Sequence, residues 1–255
     1  MKRILWGVAK PLLMLYVIGG ILLYILQRDL LYKPSAKVEH NYKELSIQSS
    51  SETLKVVVLN EGKEKALIYF GGNNESVVST AKRRANQLAD FTVYLVNYRG
   101  YGGSTGSPTQ DGLYADALVV YDALVSKHKE LSLMGRSLGS GVATYVASKR
   151  DVEKIALITP YDSVLNVAQA KYPMYPIGLI LKDKLDSVKN LSTVKRTKVL
   201  ILMAEGDSII PNEHSYALAE SIPKENVQVE VIKGESHNSL SHDQKYFDLL
   251  NGFFR

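Results

Sequence analysis

The chain of 255 residues has no cysteine, which excludes disulfides, thiolate metal sites, a lipoprotein cysteine and palmitoylation. A cysteine-free chain is at ease in either redox state, so the absence assigns no compartment. The five histidines are dispersed and form no H-x-x-x-H pair on a helical pattern, so no metal site is expected. An excess of one charge is also missing. The 31 Lys and Arg face 26 Asp and Glu, leaving a net +5 with bases scattered among acids. Nucleic acid needs a basic stripe, and none is present; a mild affinity for anionic membrane surfaces is the safer expectation. Repeats, low-complexity tracts and a second-domain linker are absent too. With 45% hydrophobic residues, the chain can bury one substantial core, which suits one α/β domain.

One long apolar run stands out. From Ile4 to Leu26 only Lys10 interrupts it, and at about 1.5 Å per residue the run spans about 34 Å, against a hydrocarbon core of about 30 Å. Lys10 lies near one end, where its stem can snorkel, and Trp6 and Tyr32 sit where interfacial aromatics usually sit. A cleaved signal peptide competes, but "QRDLLYKPSAK" offers no convincing A-x-A-like site. A buried soluble helix is the third reading, but an apolar surface all round fits lipid better. The expectation is a membrane anchor with its flanks over residues 1–33 and a single domain over 34–255. Lys2, Arg3 and Lys10 precede the core of the segment, while Arg28, Lys33 and Lys37 follow it, so the positive-inside rule discriminates weakly. The short basic tail favours a cytoplasmic N-terminus, with the domain on the non-cytoplasmic side.

The remainder alternates strand and helix. Strand-like runs at 42–48 and 54–60 form an expected hairpin. They are followed by "KALIYF", "TVYLVNY", "LSLMG", "KIALITP", "KVLILMA" and "VQVEVI". These are short, rich in β-branched residues and nearly continuously apolar, as strands covered on both faces should be. Helical patterns at 76–89, 111–127, 137–149, 212–221 and 244–254 separate them. That order predicts a mostly parallel sheet with helices on both faces. The glycines of "RGYGGSTGSP" fit neither dinucleotide nor P-loop spacing and read as a turn-rich loop.

Between "LSLM" and the helical pattern stands Gly135-Arg136-Ser137-Leu138-Gly139, a G-x-S-x-G match. In a nucleophile elbow, the glycines let strand and helix approach while the serine takes a strained turn conformation. The alternative is a plain Ser N-cap. Ser137 needs partners, and sites in such sheets lie at strand C-termini, in the order nucleophile, acid, histidine. Asp207 follows "KVLILMAEG" and His237 follows "VQVEVIKGES", both in that order. Asp162, beyond the preceding strand, is the second choice for the acid, and His242 competes with His237 although it is expected to open the final helix. His128 and His214 read as surface residues, and His40 belongs to the polar link. Oxyanion donors are expected at the Leu138 amide, on the helix N-terminus, and in the Gly71-Gly72-Asn73-Asn74 loop, from Asn73 or Gly72. Arg136 either braces the elbow or meets an anionic substrate group.

Together with the apolar N-terminus, "YFGGN", "NYRGYGGSTGSP", "GRSLGSGVA", "PYDSV", "EGDSIIP" and "GESHN" give a chain that resembles the Bem-type membrane-anchored α/β-hydrolases. The animal relatives of that group include lysophospholipases and protein depalmitoylases. The resemblance runs from Ile47 to the C-terminus. It implies an α/β-hydrolase fold with a catalytic Ser137, Asp207 and His237, oxyanion donors at Leu138 and Asn73, and no cofactor. Two positions depart from the group. It often has His-Gly where Gly71-Gly72 stand, and His-Gly shortly before the acid, where this chain has Met203-Ala204. The implied activity is hydrolysis of a carboxylic ester or thioester that is lipid-like or acylated. An amidase with the same triad and a catalytically silent membrane-tethered scaffold are the competing readings. Specificity is expected in a small cap at about 161–190, where "KYPMYPIGLILKDK" reads equally as a crossover helix packed over the sheet.

Overall fold

The computed structural model describes residues 2–255, with side chains from Ala9 onward. The side chains of Lys2, Arg3, Ile4 and Trp6 invoked above therefore lie outside the described residues. Strands β1 (Lys43–Ser49), β2 (Glu52–Leu59), β3 (Lys65–Phe70), β4 (Thr92–Val96), β5 (Glu130–Arg136), β6 (Lys154–Ile158), β7 (Lys198–Ala204) and β8 (Val227–Ile232) join in one sheet. Its order is β1-β2-β4-β3-β5-β6-β7-β8. Only β2 runs against its neighbours β1 and β4; all other pairs are parallel. The sequence explains the burial. Strands β3 to β7 lie inside the sheet with helices over both faces, so their apolar runs are buried almost end to end, whereas edge strand β1 is largely half-buried or exposed.

The helices are α1 (Lys2–Leu31), α2 (Ala81–Gln87), α3 (Gln110–Val125), α4 (Leu138–Lys149), α5 (Val164–Lys171), α6 (Ile177–Ile180), α7 (Ser187–Leu191), α8 (Asn212–Glu220) and α9 (Gln244–Phe254). Buried residues of α3, α4 and α8 join one core cluster on one face of the sheet, and those of α2 and α9 join a second on the other. This is the α/β-hydrolase fold, with the mostly parallel sheet and two-faced helix cover that the sequence predicts. Helix α1 contains an apolar span, Ala9–Leu31, with a mean hydropathy of 2.0, long enough to cross a membrane.

Two stretches differ from expectation. The helix expected over 76–89 is confined to α2, because serine and threonine capture the chain in turns first, as where Ser79 donates to the Ser76 carbonyl. Between β6 and β7 the chain forms three short helices, α5 to α7, instead of one crossover helix. Pro173 and Pro176 account for the break, since each lacks an N–H and neither can sit inside a helix without loss.

Chain direction decides where a site can form. From β3 the chain moves outward to β4, then returns across to β5 and continues the other way, so β3 and β5 flank the point where strand order reverses. A crevice opens there at the C-terminal ends of the strands.

Candidate active site

Strand β5 delivers Ser137 to that crevice. The residue adopts φ 49° and ψ −117°, in the left-handed half of backbone space that L-residues avoid, at a cost of about 1–3 kcal/mol. Its surroundings hold it there. The Ser137 amide donates to the Ile158 carbonyl at 2.9 Å, and Ser140 returns its amide and hydroxyl to the Ser137 carbonyl. Ser137 makes no side-chain cap to α4, so the N-cap alternative does not describe its hydroxyl. The flanking glycines serve close approach. A Cβ on Gly139 would collide with the Phe70 carbonyl oxygen, and one on Gly135 with the Gly139 carbonyl.

Asp207 sits on the loop after β7. Its Oδ1 accepts from the amides of Ile209 and Ile210 at 2.9 and 2.8 Å, which fixes the carboxylate in a tight turn. Its Oδ2 lies 2.7 Å from Nδ1 of His237, carried on the loop after β8. Both side chains are nearly sealed from solvent. A carboxylate only accepts, so this contact places the imidazole proton on Nδ1 and leaves Nε2 as the basic nitrogen. Ser137 and His237 line one cavity of about 440 Å³, together with Asn73, Leu138 and Tyr161.

The competitors are separated by position. Asp162 does not reach His237. Its carboxylate binds Ser163, Asn166 and Nδ1 of His214, and its carbonyl takes the amides of Ser187 and Val188, tying the two ends of the cap together. His214 is buried in α8 rather than on the surface, because Asp162 supplies a partner that the sequence pattern does not reveal. His242 lies in a short 3-10 turn before α9 instead of opening it, and it is not among the residues lining the Ser137 cavity. His128 accepts or donates against the Tyr94 hydroxyl at 2.8 Å, and His40 stands 3.7 Å from Glu44.

The expected oxyanion loop is built more tightly than the sequence suggests. The Gly72 amide already donates to Glu75 Oε2 at 3.0 Å, so Gly72 is not a free donor. Asn73 commits its side-chain amide to the Leu31 carbonyl at 3.0 Å, and its own carbonyl accepts from Lys33 N and the Tyr101 hydroxyl. What Asn73 has left to offer is its backbone N–H. Leu138 stands at the first position of α4, where a backbone N–H has no partner within the helix.

Glu75 was not singled out by sequence, yet it links the loops. Its carboxylate accepts from Tyr69, Gly72, Arg84 and Arg136, all between 2.8 and 3.1 Å. Arg136 in turn donates to the His237 carbonyl and to Asn238 Oδ1. Its guanidinium therefore braces the His237 loop against the loop of Gly72 and Glu75. Burial alone would push the Glu75 carboxyl up, but the charges of Arg84 and Arg136, with the Gly72 amide and Tyr69 hydroxyl, hold it down at about 2.

Comparison with known proteins agrees with the architecture. A family described as alpha/beta hydrolase fold matches residues 65–185. An uncharacterized membrane protein of Saccharomyces cerevisiae is 29% identical, over 98% of this chain and 97% of its own length. An uncharacterized protein of Mycobacterium tuberculosis is also 29% identical, over 87% of this chain and 85% of its own. Among solved structures, an esterase of Pyrococcus furiosus superposes with a TM-score of 0.69 at 16% identity, covering 87% of this chain and 96% of the esterase. At that identity the likeness speaks for the fold alone.

Proposed function

The chain is an α/β-hydrolase by fold, and on that premise we propose that it is a membrane-tethered serine hydrolase cleaving a carboxylic ester or thioester on a lipid-like or acylated substrate. The observation that carries the reading is the strained Ser137. It sits on a left-handed turn without capping its helix, and it shares a cavity with a histidine whose other nitrogen is held by a buried carboxylate.

In the proposed cycle, Ser137 Oγ attacks the acyl carbon while His237 Nε2 takes its proton. The carbonyl electron pair moves onto oxygen, which receives hydrogen bonds from the amides of Leu138 and Asn73. Each such donor is worth about 2.7–4 kcal/mol in comparable sites. The tetrahedral intermediate collapses as the bond to the leaving oxygen or sulfur breaks, and His237 gives its proton to that group. Water then attacks the acyl-serine, His237 taking its proton, and collapse returns the proton to Oγ and frees the acid. Asp207 stays ionised throughout and stabilises the imidazolium.

The triad cycle would suit many substrates. Tethering favours acyl substrates in or on a membrane, because α1 holds the cavity beside the bilayer. The basic N-terminal tail supports an orientation with the catalytic domain on the non-cytoplasmic side. The test is fluorophosphonate labelling of the detergent-solubilised protein beside Ser137→Ala. Labelling of the wild type that disappears in the variant is expected. A folded wild type that resists the probe would remove the hydrolase reading and leave a scaffold.

A further inference from the structure

Helix α1 does more than leave the domain behind. Gly19, Leu23, Gln27 and Leu31 recur every four residues and so share one face of the helix. That face meets the cap. Tyr16 stacks on Tyr175 with ring centroids 4.8 Å apart, and its hydroxyl donates to the Met174 carbonyl at 2.8 Å. Gly19 makes room for this contact, since a side chain there would run into the Tyr175 hydroxyl. About two turns further, Gln27 donates to the Ile180 carbonyl at 3.2 Å and accepts from the Lys182 amide at 2.6 Å. Arg28 then pairs with Asp183 at 2.9 Å. Finally the Leu31 carbonyl takes the Asn73 side chain, and the Lys33 amide reaches the Asn73 carbonyl.

Between this face and α5 and α6 runs an apolar groove of about 180 Å³, lined on one side by Leu23 and Leu31 and on the other by Val164, Val167, Ile177 and Ile180. Leu31, Val164 and Val167 also line the cavity that holds Ser137. The groove thus adjoins the Ser137 cavity across these three shared residues. Gln27, its one buried polar side chain, already has both ends of its amide bonded to backbone. At the other end, Met174 and Leu179 on the cap are 75% and 87% exposed beside the apolar run of α1, a surface suited to lipid tails and poorly suited to water.

We propose that the C-terminal half of α1 is one wall of the substrate site, and that the groove between it and the cap seats a single acyl chain entering from the bilayer. A volume this small excludes a helix or peptide segment, and a lining that is apolar apart from the bonded Gln27, the exposed Lys171 and the half-buried Tyr172 favours a hydrocarbon chain. The anchor then has two jobs at once. It delivers the domain to the membrane, and it completes the surface that measures the acyl chain. The inference rests on Ser137 being the nucleophile, because the chain must end at an acyl carbon beside it.

The experiment uses the full-length protein in detergent with nitrophenyl butanoate and nitrophenyl dodecanoate. Leu23→Trp fills the groove from the α1 side and Ile180→Trp from the cap side. Leu22→Trp, on the lipid-facing side of α1 at 49% exposure, serves as the control. Each groove variant is expected to lower the dodecanoate-to-butanoate ratio of kcat/KM by about ten-fold or more, the loss of two or three buried methylenes. The control should keep the wild-type ratio. Equal ratios in all four proteins, with butanoate hydrolysis intact, would overturn the groove while leaving the serine hydrolase standing. Absence of butanoate hydrolysis and of fluorophosphonate labelling in the wild type would instead bring down the hydrolase reading, and this inference with it.

Discussion

Two histidine–aspartate pairs lie buried in this molecule, and they differ in almost nothing local. His237 and Asp207 meet at 2.7 Å, His214 and Asp162 at 3.0 Å, both through Nδ1. Both aspartates sit on loops after parallel strands. The difference lies beyond the pair. His237 opens onto the cavity that contains Ser137, whereas Nε2 of His214 is buried and has no partner among the described residues. Asp162 also holds both stems of the cap, with its backbone carbonyl on Ser187 and Val188 and its carboxylate on Asn166. A buried Asp–His contact is therefore no signature of catalysis. What separates a catalytic pair from a structural one is whether the second ring nitrogen faces a nucleophile.

The sharpest way to break that comparison is to remove one histidine from each pair. His237→Ala should lower kcat on a short acyl ester by about 10⁴-fold or more, as loss of the base does in related triads, while its stability cost stays of the same order as that of His214→Ala, about 1–3 kcal/mol. Retained turnover in a folded His237→Ala protein would assign the base elsewhere.

The pair proposed as catalytic could be singled out because alternation of apolar strands and helices places strand ends in order, and Ser137, Asp207 and His237 each stand at one. The structural pair was not legible. His214 shares a helix face with Leu218 four residues on, but its polar partner is 52 residues away, so the sequence does not show what a buried imidazole there would bind. Glu75 escaped for the same reason. It meets Arg84 nine residues later and Arg136 sixty-one residues later, spacings that no helix or strand period produces. Asn73 was found as a loop residue, but its clamp to Leu31 joins positions 42 apart. Gln27 did carry a signal: an amide in an apolar segment, four residues from Leu23 and from Leu31, asks for a partner that lipid cannot supply. Local chemistry shows in sequence, whereas contacts between distant loops must await the fold.

Glu75 sharpens the comparison from a third side, as a buried carboxylate that touches neither histidine yet holds both the Gly72 loop and, through Arg136, the His237 loop. Glu75→Gln should cost about 3–5 kcal/mol, because it leaves Arg84 and Arg136 without their common anion. The cost should depend on pH. The carboxyl titrates at about 2 in the fold against a usual 4.5, so folding favours the ionised form. Its contribution is complete above about 4.5 and fades as pH falls toward 2. The gap in melting temperature between wild type and Glu75→Gln should thus be wide at neutral pH and close in acid. A gap that is constant across that range would show that the charge of Glu75 contributes little.

The smallest effect belongs to His214→Ala, and it is the most discriminating. Asp162 would keep Ser163 and Asn166 as donors and lose only the imidazole, so the cost should be about 1–3 kcal/mol. In a domain of this size that corresponds to a fall in melting temperature of about 2–4 °C per kcal/mol. Fluorophosphonate labelling per folded molecule should stay near wild type, because no step of the proposed cycle passes through His214. The cap stems remain joined through the Asp162 carbonyl, which the substitution does not touch. If labelling falls by orders of magnitude at an unchanged melting temperature, the two pairs have been told apart wrongly, and the Asp162–His214 pair belongs to the chemistry.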